Sequence, residues 1–251
     1  MRLFCLTALF LFVLASLFPH WFTDQLPKQQ NLSRILASAN EVHILGCDWL
    51  GRDVFARLVY GCRDTLMIGL STSFFSIAAG LFLGTIVMFA GSFLNRLYQA
   101  FLDISQAFPP ILGAILLASL LDASQTGVIL ALFLGSFASV ARVLRTYILE
   151  IRTKEYILAA ESMGASRLRI YAKHVIPNIF DPLVTLFFIQ CGNMILAEST
   201  LSFLGLGAVD SLSWGNMVYG ARQYLFSSIS LSLWPASMIA ILVLSLNRIR
   251  S

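Results

Sequence analysis

The strongest constraint on the fold of this chain is a run of 31 residues, 65–95, that contains no charged side chain. An α-helix needs about 20 apolar residues to cross the hydrocarbon core of a bilayer. Within lipid, every backbone polar group must be satisfied internally, which a helix achieves by itself. Hydrophobic residues make up 58% of the chain and charged residues only 12%, about half the charged share of a soluble domain. We therefore predict an all-α membrane protein.

Six runs in the sequence are long enough to span a membrane. They cover residues 3–22, 65–95, 97–121, 126–148, 182–204 and 223–247. Six spans place both termini on one side. With that side cytoplasmic, most of the 17 Lys and Arg residues fall in inner segments, as the positive-inside rule requires. Topology therefore explains the net charge of +4, and nucleic-acid binding is not indicated.

The first run follows Arg2 directly, as the apolar part of a cleaved signal peptide also does. Near the end of the run, Ala15-Ser16-Leu17-Phe18 is followed by Pro19, His20 and Trp21, which does not form a small-x-small cleavage site. Aromatic residues are typical of the membrane interface. We favour a retained helix, which divides the chain into a first transmembrane helix at 1–23, a periplasmic loop at 24–64 and a five-helix core at 65–251.

The second half of the predicted loop carries two turn signals and one helical signal. Gly46 and Gly51 predict tight turns. From Asp53 onward, apolar residues such as Val54 and Leu58 recur at helical spacing. The pattern predicts a short amphipathic helix on the outer membrane surface, leading into the second span.

A charged, helix-prone segment, residues 154–178, lies between the fourth and fifth runs and is called the elbow below. It is too polar for lipid, and its basic charge places it in the cytoplasm. Gly164 predicts a left-handed turn, and Ser166 an N-cap for a second helix. Pro177 is expected to end or kink that helix.

Helical spacing assigns faces within the elbow. On the first helix, four residues are predicted to share one face: Tyr156, Ala159, Ala160 and Met163. On the second helix, an apolar stripe is predicted to contain Leu168, Tyr171 and Val175. A separate basic stripe contains Arg169 and Lys173. Two short helices at a corner of small residues offer a shaped surface to another protein.

Four segments of the sequence carry a family resemblance. They are Ala159-Ala160 with Gly164-Ala165-Ser166 and Ile176-Pro177-Asn178; Leu45-Gly46-Cys47-Asp48 with Leu50-Gly51-Arg52-Asp53; Ala197-Glu198 with Leu201-Ser202-Phe203-Leu204-Gly205-Leu206-Gly207; and Trp214-Gly215. In their order along the chain they resemble binding-protein-dependent ABC importer permeases of the dipeptide, oligopeptide and nickel branch, second subunit type. Leu158 departs from the general pattern, which has Glu there, and Cys47 stands where Thr is usual.

The resemblance implies a type I importer permease with six transmembrane helices and a cytoplasmic coupling helix in the bacterial inner membrane. It implies half of a translocation pore, completed by a second homologous permease, two ATPase subunits and a periplasmic or lipid-anchored substrate-binding protein. ATP and Mg would bind the partner ATPases and this chain would bind no cofactor, in keeping with the lack of a GxxxxGK[ST] loop. The implied coupling residues are Ala159, Ala160, Met163, Gly164, Ala165, Arg167, Leu168 and Arg169.

Other functions remain as alternatives at this stage. An ABC permease for another class of substrate is disfavoured by the 50–53 and 201–207 segments. A stand-alone secondary transporter would need no elbow and would often show inverted repeats, whereas no internal repeat is visible. A membrane enzyme is less consistent still, because no nucleophile–base pair or metal constellation is present.

Charged residues near the membrane have two interpretations each. Glu198 either lines the translocation path or subunit seam, or is an interior carboxylate hydrogen-bonded to Ser199, Thr200 or a neighbouring helix. Four charged residues of the predicted loop either form a periplasmic gate or binding-protein docking site, or pair locally within the loop. These residues are Asp48, Arg52, Asp53 and Arg57. Asp103 is interpreted as an interfacial or helix-bundle carboxylate.

Three further features give smaller predictions. Pro109-Pro110 predicts a kink in the third span. Cys47 and Cys62 could form a disulfide in an oxidising periplasm, although the resemblance does not require one. His43 and His174 stand alone, so no metal site is assigned.

Overall fold

The computed structural model describes residues 2–89 and 91–249, which form a helical bundle. Its α-helices are α1 (Arg2–Leu17), α2 (Val54–Phe89), α3 (Ser92–Ala107), α4 (Pro110–Leu120), α5 (Gln125–Arg152), α6 (Glu155–Ser162), α7 (Arg167–Ile170), α8 (Ile176–Phe203), α9 (Trp214–Ala221) and α10 (Ser230–Asn247). A π-helical turn, Tyr171–Val175, joins α7 to α8. Within the described ranges, β-structure is limited to one isolated bridge between Cys47 and Asp53.

Four helical segments in the described residues are long and apolar enough to cross a membrane. They are Val54–Thr85, Gln125–Arg152, Arg167–Phe203 and Ser230–Asn247. The bent pair α3 and α4 makes a fifth if it counts as one span, and the apolar part of α1, Leu3–Leu17, is shorter. The prediction of an all-α membrane protein is confirmed, while the count of six spans stays a prediction.

The second span begins earlier than the sequence predicted. Asp53 accepts the backbone N–H of Ala56 at 2.6 Å, and the chain then runs as one helix of 36 residues to Phe89. The prediction of a separate surface helix is therefore wrong, because its residues form the first turns of α2. The predicted boundary between 64 and 65 falls inside this helix.

The third span is broken rather than merely kinked. The axes of α3 and α4 differ by 80°. Phe108 is extended, with φ −100° and ψ 130°, as the residue before a proline prefers. Pro110 then starts α4, where its missing N–H costs nothing. Before the break, Asp103 forms an exposed ion pair with Arg142 of α5 at 2.7 Å, so its interpretation as a helix-bundle carboxylate is confirmed.

Glycines bring α2 close to its two neighbours. A Cβ added at Gly80 would lie 2.8 Å from Cδ1 of Leu144, and one at Gly84 would lie 2.8 Å from Cδ1 of Ile148. Small residues four apart allow membrane helices to approach closely in this way. About three turns earlier along the same helix, a Cβ added at Gly69 would lie 2.7 Å from Cγ1 of Ile195 in α8. The helices α2, α5 and α8 thus form the closely packed centre of the bundle.

The bundle has two distinct ends. At one end, α5 runs into the elbow, α8 leaves it, and α2 finishes beside it. At the other end lie the first turns of α2, the start of α5, the last turn of α8 and the connection into α9. We call this second region, residues 43–65 with 198–220, the outer hub, after the side of the membrane on which the sequence analysis predicts it to lie.

Candidate functional site

The corner of the elbow has the geometry that the sequence predicted. Gly164 adopts φ +80°, and its N–H donates to the carbonyl of Glu161 at 2.9 Å. The next N–H, from Ala165, donates to the carbonyl of Ala160 at 3.0 Å. Ser166 then caps α7, because its Oγ accepts the backbone N–H of Arg169 at 3.4 Å. The predicted left-handed turn and N-cap are both confirmed.

The elbow has a buried core of its own. Its members are at most 9% exposed: Ile157, Ala160, Ile170, Tyr171, Val175 and Ile179, together with Ile148 at the end of α5. Ala160 therefore does not share the outward face predicted for it, whereas Tyr156, Ala159 and Met163 are exposed. The sequence analysis missed Ile157, which is 0% exposed and fixes α6 to the bundle.

The predicted apolar stripe of the second helix is wrong at Leu168, which is 66% exposed. Its two other members, Tyr171 and Val175, are buried. The cause is the π turn, because i→i+5 hydrogen bonding brings residues five apart onto one side. Ile170 and Val175 meet in this way. Pro177 does not end the helix either, since it lies in the first turn of α8, directly after the widened turn.

The outward surface of the elbow is both apolar and basic. Its apolar part has exposed Leu158, Met163 and Leu168. Arg167 and Arg169 are also exposed, and Ala165 is partly buried at the corner. Of the eight predicted coupling residues, only Ala160 is buried.

The elbow also contacts the end of α2. The hydroxyls of Tyr171 and Thr85 are hydrogen-bonded. The ring of Phe89 lies edge-on to that of Tyr171, with centroids 6.0 Å apart, and Leu81 packs against the elbow core. Any displacement of the elbow therefore acts on α2 as well as on α5 and α8.

At the outer hub, the four predicted charged residues are all in ion pairs and have little exposure. Asp48 accepts from Arg52 Nε at 2.7 Å and from Arg57 Nη1 at 2.6 Å. Asp53 is paired with His43 at 2.8 Å. The exposed fractions of Asp48, Asp53 and Arg57 are 2%, 5% and 5%. The interpretation as local pairing describes this geometry, with the difference that the pairs are buried.

Aromatic rings and turns complete the loop around this network. The guanidinium carbons of Arg52 and Arg57 lie 5.1 and 5.5 Å from the ring centroid of Trp49, within cation–π range. That indole stacks on Tyr224 at 5.8 Å. At Gly51, φ is +67° and the backbone of Asn31 occupies the place of a side chain. The loop is thus a folded unit, not a flexible tether.

Cys47 and Cys62 are not paired, so the disulfide that the sequence allowed is not formed in this structure. Both are buried free thiols. Cys47 lies in the bridge with Asp53, and Cys62 Sγ donates to the carbonyl of Phe12 at 3.1 Å. Burial, with a further contribution from Asp53, raises the pKa of the Cys47 thiol.

Glu198 lies in the interior of the hub and is 1% exposed. Its Oε1 accepts from Ser202 Oγ at 2.8 Å and from Ser213 Oγ at 2.6 Å. The interior interpretation allowed a partner from a neighbouring helix, and Ser213, the N-cap residue of α9, is such a partner. The hydroxyls of Ser199 and Thr200 donate to helix carbonyls. In this conformation the carboxylate does not line a surface that a second subunit or a pore would share.

Trp214 connects the outer hub to α2 through two hydrogen bonds. Its backbone N–H donates to Thr65 Oγ1 at 3.1 Å, and its indole Nε1 donates to the carbonyl of Leu58 at 2.9 Å. Asp64 accepts the N–H of Leu212 at 2.7 Å. The sequence analysis did not single out Asp64 or Thr65. The segment 214–215 therefore packs against the first turns of α2, and it also meets the 201–207 segment, because a Cβ added at Gly215 would lie 3.0 Å from Cβ of Ser202.

Comparison with known proteins gives a consistent result. The family model described as binding-protein-dependent transport system inner membrane component matches residues 76–250. The chain is 32% identical over 239 residues to the dipeptide transport system permease protein DppC of Alkalihalophilus pseudofirmus, covering 95% of this chain and 79% of that protein. It is 35% identical over 245 residues to a putative peptide transport system permease protein of Brucella suis, covering 97% and 82%.

The fold is also found among solved structures. A structure of the methionine ABC transporter MetNI in an inward-facing conformation aligns with a TM-score of 0.64, covering 75% of this chain and 90% of the matched chain. The sequence identity is 22%, so this similarity concerns the fold. It agrees with a bundle whose helices α5 and α8 are joined by a protruding elbow.

Proposed function

Since the chain belongs to the family of binding-protein-dependent transport system inner membrane components, we propose that it is the permease subunit of an ATP-driven importer of small peptides. Peptide transport by the relatives supports a peptide as cargo. A nickel chelate, the other cargo of the branch, rests on the resemblance alone. The chain itself contributes membrane helices and a docking surface, while ATP hydrolysis and its Mg belong to partner subunits.

The observation that carries the proposal is the construction of the elbow. Its outer side presents exposed apolar and basic side chains, such as Met163 and Arg169, that suit a groove in an ATPase. Its inner side packs against the ends of α5 and α8 and is bonded to Thr85 of α2. A rigid body attached at three places transmits a displacement of its outer side to all three helices.

The elbow residues then divide by role. Residues on the outer side make the contact with the ATPase: Ala159, Met163, Gly164, Ala165, Leu168, Arg167 and Arg169. Ala160 instead lets α6 approach the elbow core, where a larger side chain would not fit among packed neighbours.

The assembly proposed from the family contains a second, homologous permease, two ATPases and a substrate-binding protein outside. In it, α1 and the broken pair α3–α4 each cross the membrane, which gives six spans and two cytoplasmic termini. The elbow then lies inside and the outer hub faces the binding protein. Of the four charged residues predicted as a gate or dock, Arg52 keeps the most exposed side chain, 15%, so it is the one we place at that surface.

The test is peptide uptake by the complete importer in proteoliposomes, with the binding protein outside and ATP inside. We expect trialanine uptake that needs both. We expect Gly164→Glu to abolish uptake while leaving membrane insertion normal, because a bulky charge at a φ of +80° disrupts both the turn and the docking surface. A stand-alone transporter would instead accumulate peptide without the ATPases, and that result would exclude the proposal.

A further inference from the structure

Two cavities adjoin at the outer hub. Their volumes are about 570 and 610 Å³, in the range of small-molecule sites. They share a wall that includes Lys28, Asp210 and Ser211. Together they form one chamber at the end of the bundle that lies away from the elbow.

One side of the chamber is basic. It is lined by three cations, Arg52, Arg57 and Lys28, and one carboxylate, Asp210, with Trp49 and Tyr219 as flat apolar walls. A single carboxylate, that of Asp48, accepts from both guanidiniums, so positive charge is in excess there. The Arg57 side chain is 6% exposed, and its Nε has no hydrogen-bond partner among the described residues. A buried donor without a partner is costly, and a bound anion would remove that cost.

The other side of the chamber is acidic. Its lining has three carboxylates, those of Asp64, Asp122 and Asp210, and one cation, Lys28. The carboxylate of Asp64 already accepts from Ser211 and Leu212. Asp122 and Asp210 are exposed, and their carboxylates have no hydrogen bond or ion pair with any described residue. Negative charge is therefore in excess on this side, and two carboxylates are available to a ligand.

We propose that this chamber binds the two charged ends of a small peptide, its ammonium group at Asp122 and Asp210 and its carboxylate at Lys28, Arg52 and Arg57. Peptides differ in their side chains but share these ends, so opposite charges on two sides of one chamber recognise the class without selecting a sequence. The inference rests on the proposed function and deepens it, because it names the groups that receive cargo after the binding protein releases it.

Three probes test the proposal: trialanine, N-acetyl-trialanine and trialanine amide, all radiolabelled. Their binding to the complete importer in nanodiscs is measured by equilibrium dialysis without binding protein. We expect trialanine to bind about tenfold more tightly than either blocked peptide, as the loss of one charged hydrogen-bonding partner implies. The binding of each probe is then compared in Asp122→Asn/Asp210→Asn, in Lys28→Gln and in Glu41→Gln, an exposed control outside the chamber.

The two halves of the chamber should respond separately. The double aspartate variant should lose its preference for trialanine over the acetylated probe and keep its preference over the amide. Lys28→Gln should weaken the binding of trialanine and of the acetylated probe, and it should leave the binding of the amide unchanged. Three results would overturn the proposal. They are equal binding of the three probes to the unsubstituted importer, no binding at all, and an equal loss of binding for every probe in both variants. ATP-driven trialanine uptake under any of those outcomes leaves the proposed function standing, whereas its absence contradicts that function.

Discussion

The hydroxyl of Tyr171, in the π turn of the elbow, is bonded to Thr85 Oγ1 on α2. The two residues are 86 positions apart in sequence. Near the other end of α2, Thr65 and Leu58 accept hydrogen bonds from Trp214. One continuous helix of 36 residues, about 54 Å long, therefore connects the elbow with the outer hub.

We expect Tyr171→Phe to weaken coupling without unfolding the protein. The substitution keeps the ring against Phe89 and removes one hydrogen bond, worth about 0.5–1.5 kcal/mol. The measurement is peptide imported per ATP hydrolysed, which should fall. Thr85→Val should give a similar fall, and the two changes together no more than either alone. Fully additive effects would show that the hydroxyl pair does not act as a unit.

Two adjacent residues of α6 should give opposite results. Ile157 is 0% exposed and Leu158 is 51% exposed. Ile157→Ala leaves a cavity in the elbow core and should cost about 2–5 kcal/mol of local stability, measured as faster hydrogen exchange from 155 to 179. Leu158→Ala should change stability by about 0.5 kcal/mol or less but reduce co-purification of the ATPase. The idea of an outward docking face fails if Leu158→Ala binds ATPase normally.

Sequence reasoning succeeded where chemistry is local and failed where tertiary packing decides. The turn at Gly164 and the cap at Ser166 need only their own backbone, so both were predictable. The face of Leu168 was not, because it depends on a π turn that helical periodicity does not contain. Similarly, Glu198 could be identified as unusual from its apolar surroundings, but Ser213, its partner, comes from a loop 15 positions later, which only the fold brings near.

The start of α2 shows a different limit. Asp64 is the last charged residue before the uncharged run 65–95, so the sequence predicts a boundary there. In the fold its carboxylate accepts from Leu212 and Ser211, and the helix continues back to Val54. A charge satisfied by a packed loop does not end a helix.

The contact between α2 and α5 should be intolerant of added bulk. A Cβ at Gly80 meets both Leu144 and the backbone of Ala141, at 2.8 and 3.1 Å. We expect Gly80→Ala to destabilise by about 1–3 kcal/mol, seen as a lower Tm of the purified protein. Gly113→Ala in α4 is the matched control, since nothing lies within 4 Å of its added Cβ, and it should be neutral or stabilising by about 0.5–1 kcal/mol. Equal effects of the two changes would argue against a close α2–α5 contact.

Glu198 provides a test of structure against transport. Glu198→Gln keeps an oxygen that can accept from Ser202 and Ser213, so assembly and uptake should persist. Glu198→Leu leaves both hydroxyls without that acceptor and should cost about 1–3 kcal/mol for each, with a lower Tm and less assembled complex. Loss of uptake in a fully assembled Glu198→Gln importer would instead show that the charge itself acts in translocation.

The thiol of Cys47 should be slow to react in the folded protein. Burial and Asp53 raise its pKa, and a raised pKa lowers the thiolate fraction at any given pH. The pH dependence of alkylation should therefore lie at higher pH in the native protein than after unfolding in detergent. Mass spectrometry without reductant checks the premise: Cys47 and Cys62 should both accept iodoacetamide after unfolding. A chain two hydrogens lighter, with neither residue labelled, would show that they are paired and that the hub is held by a disulfide.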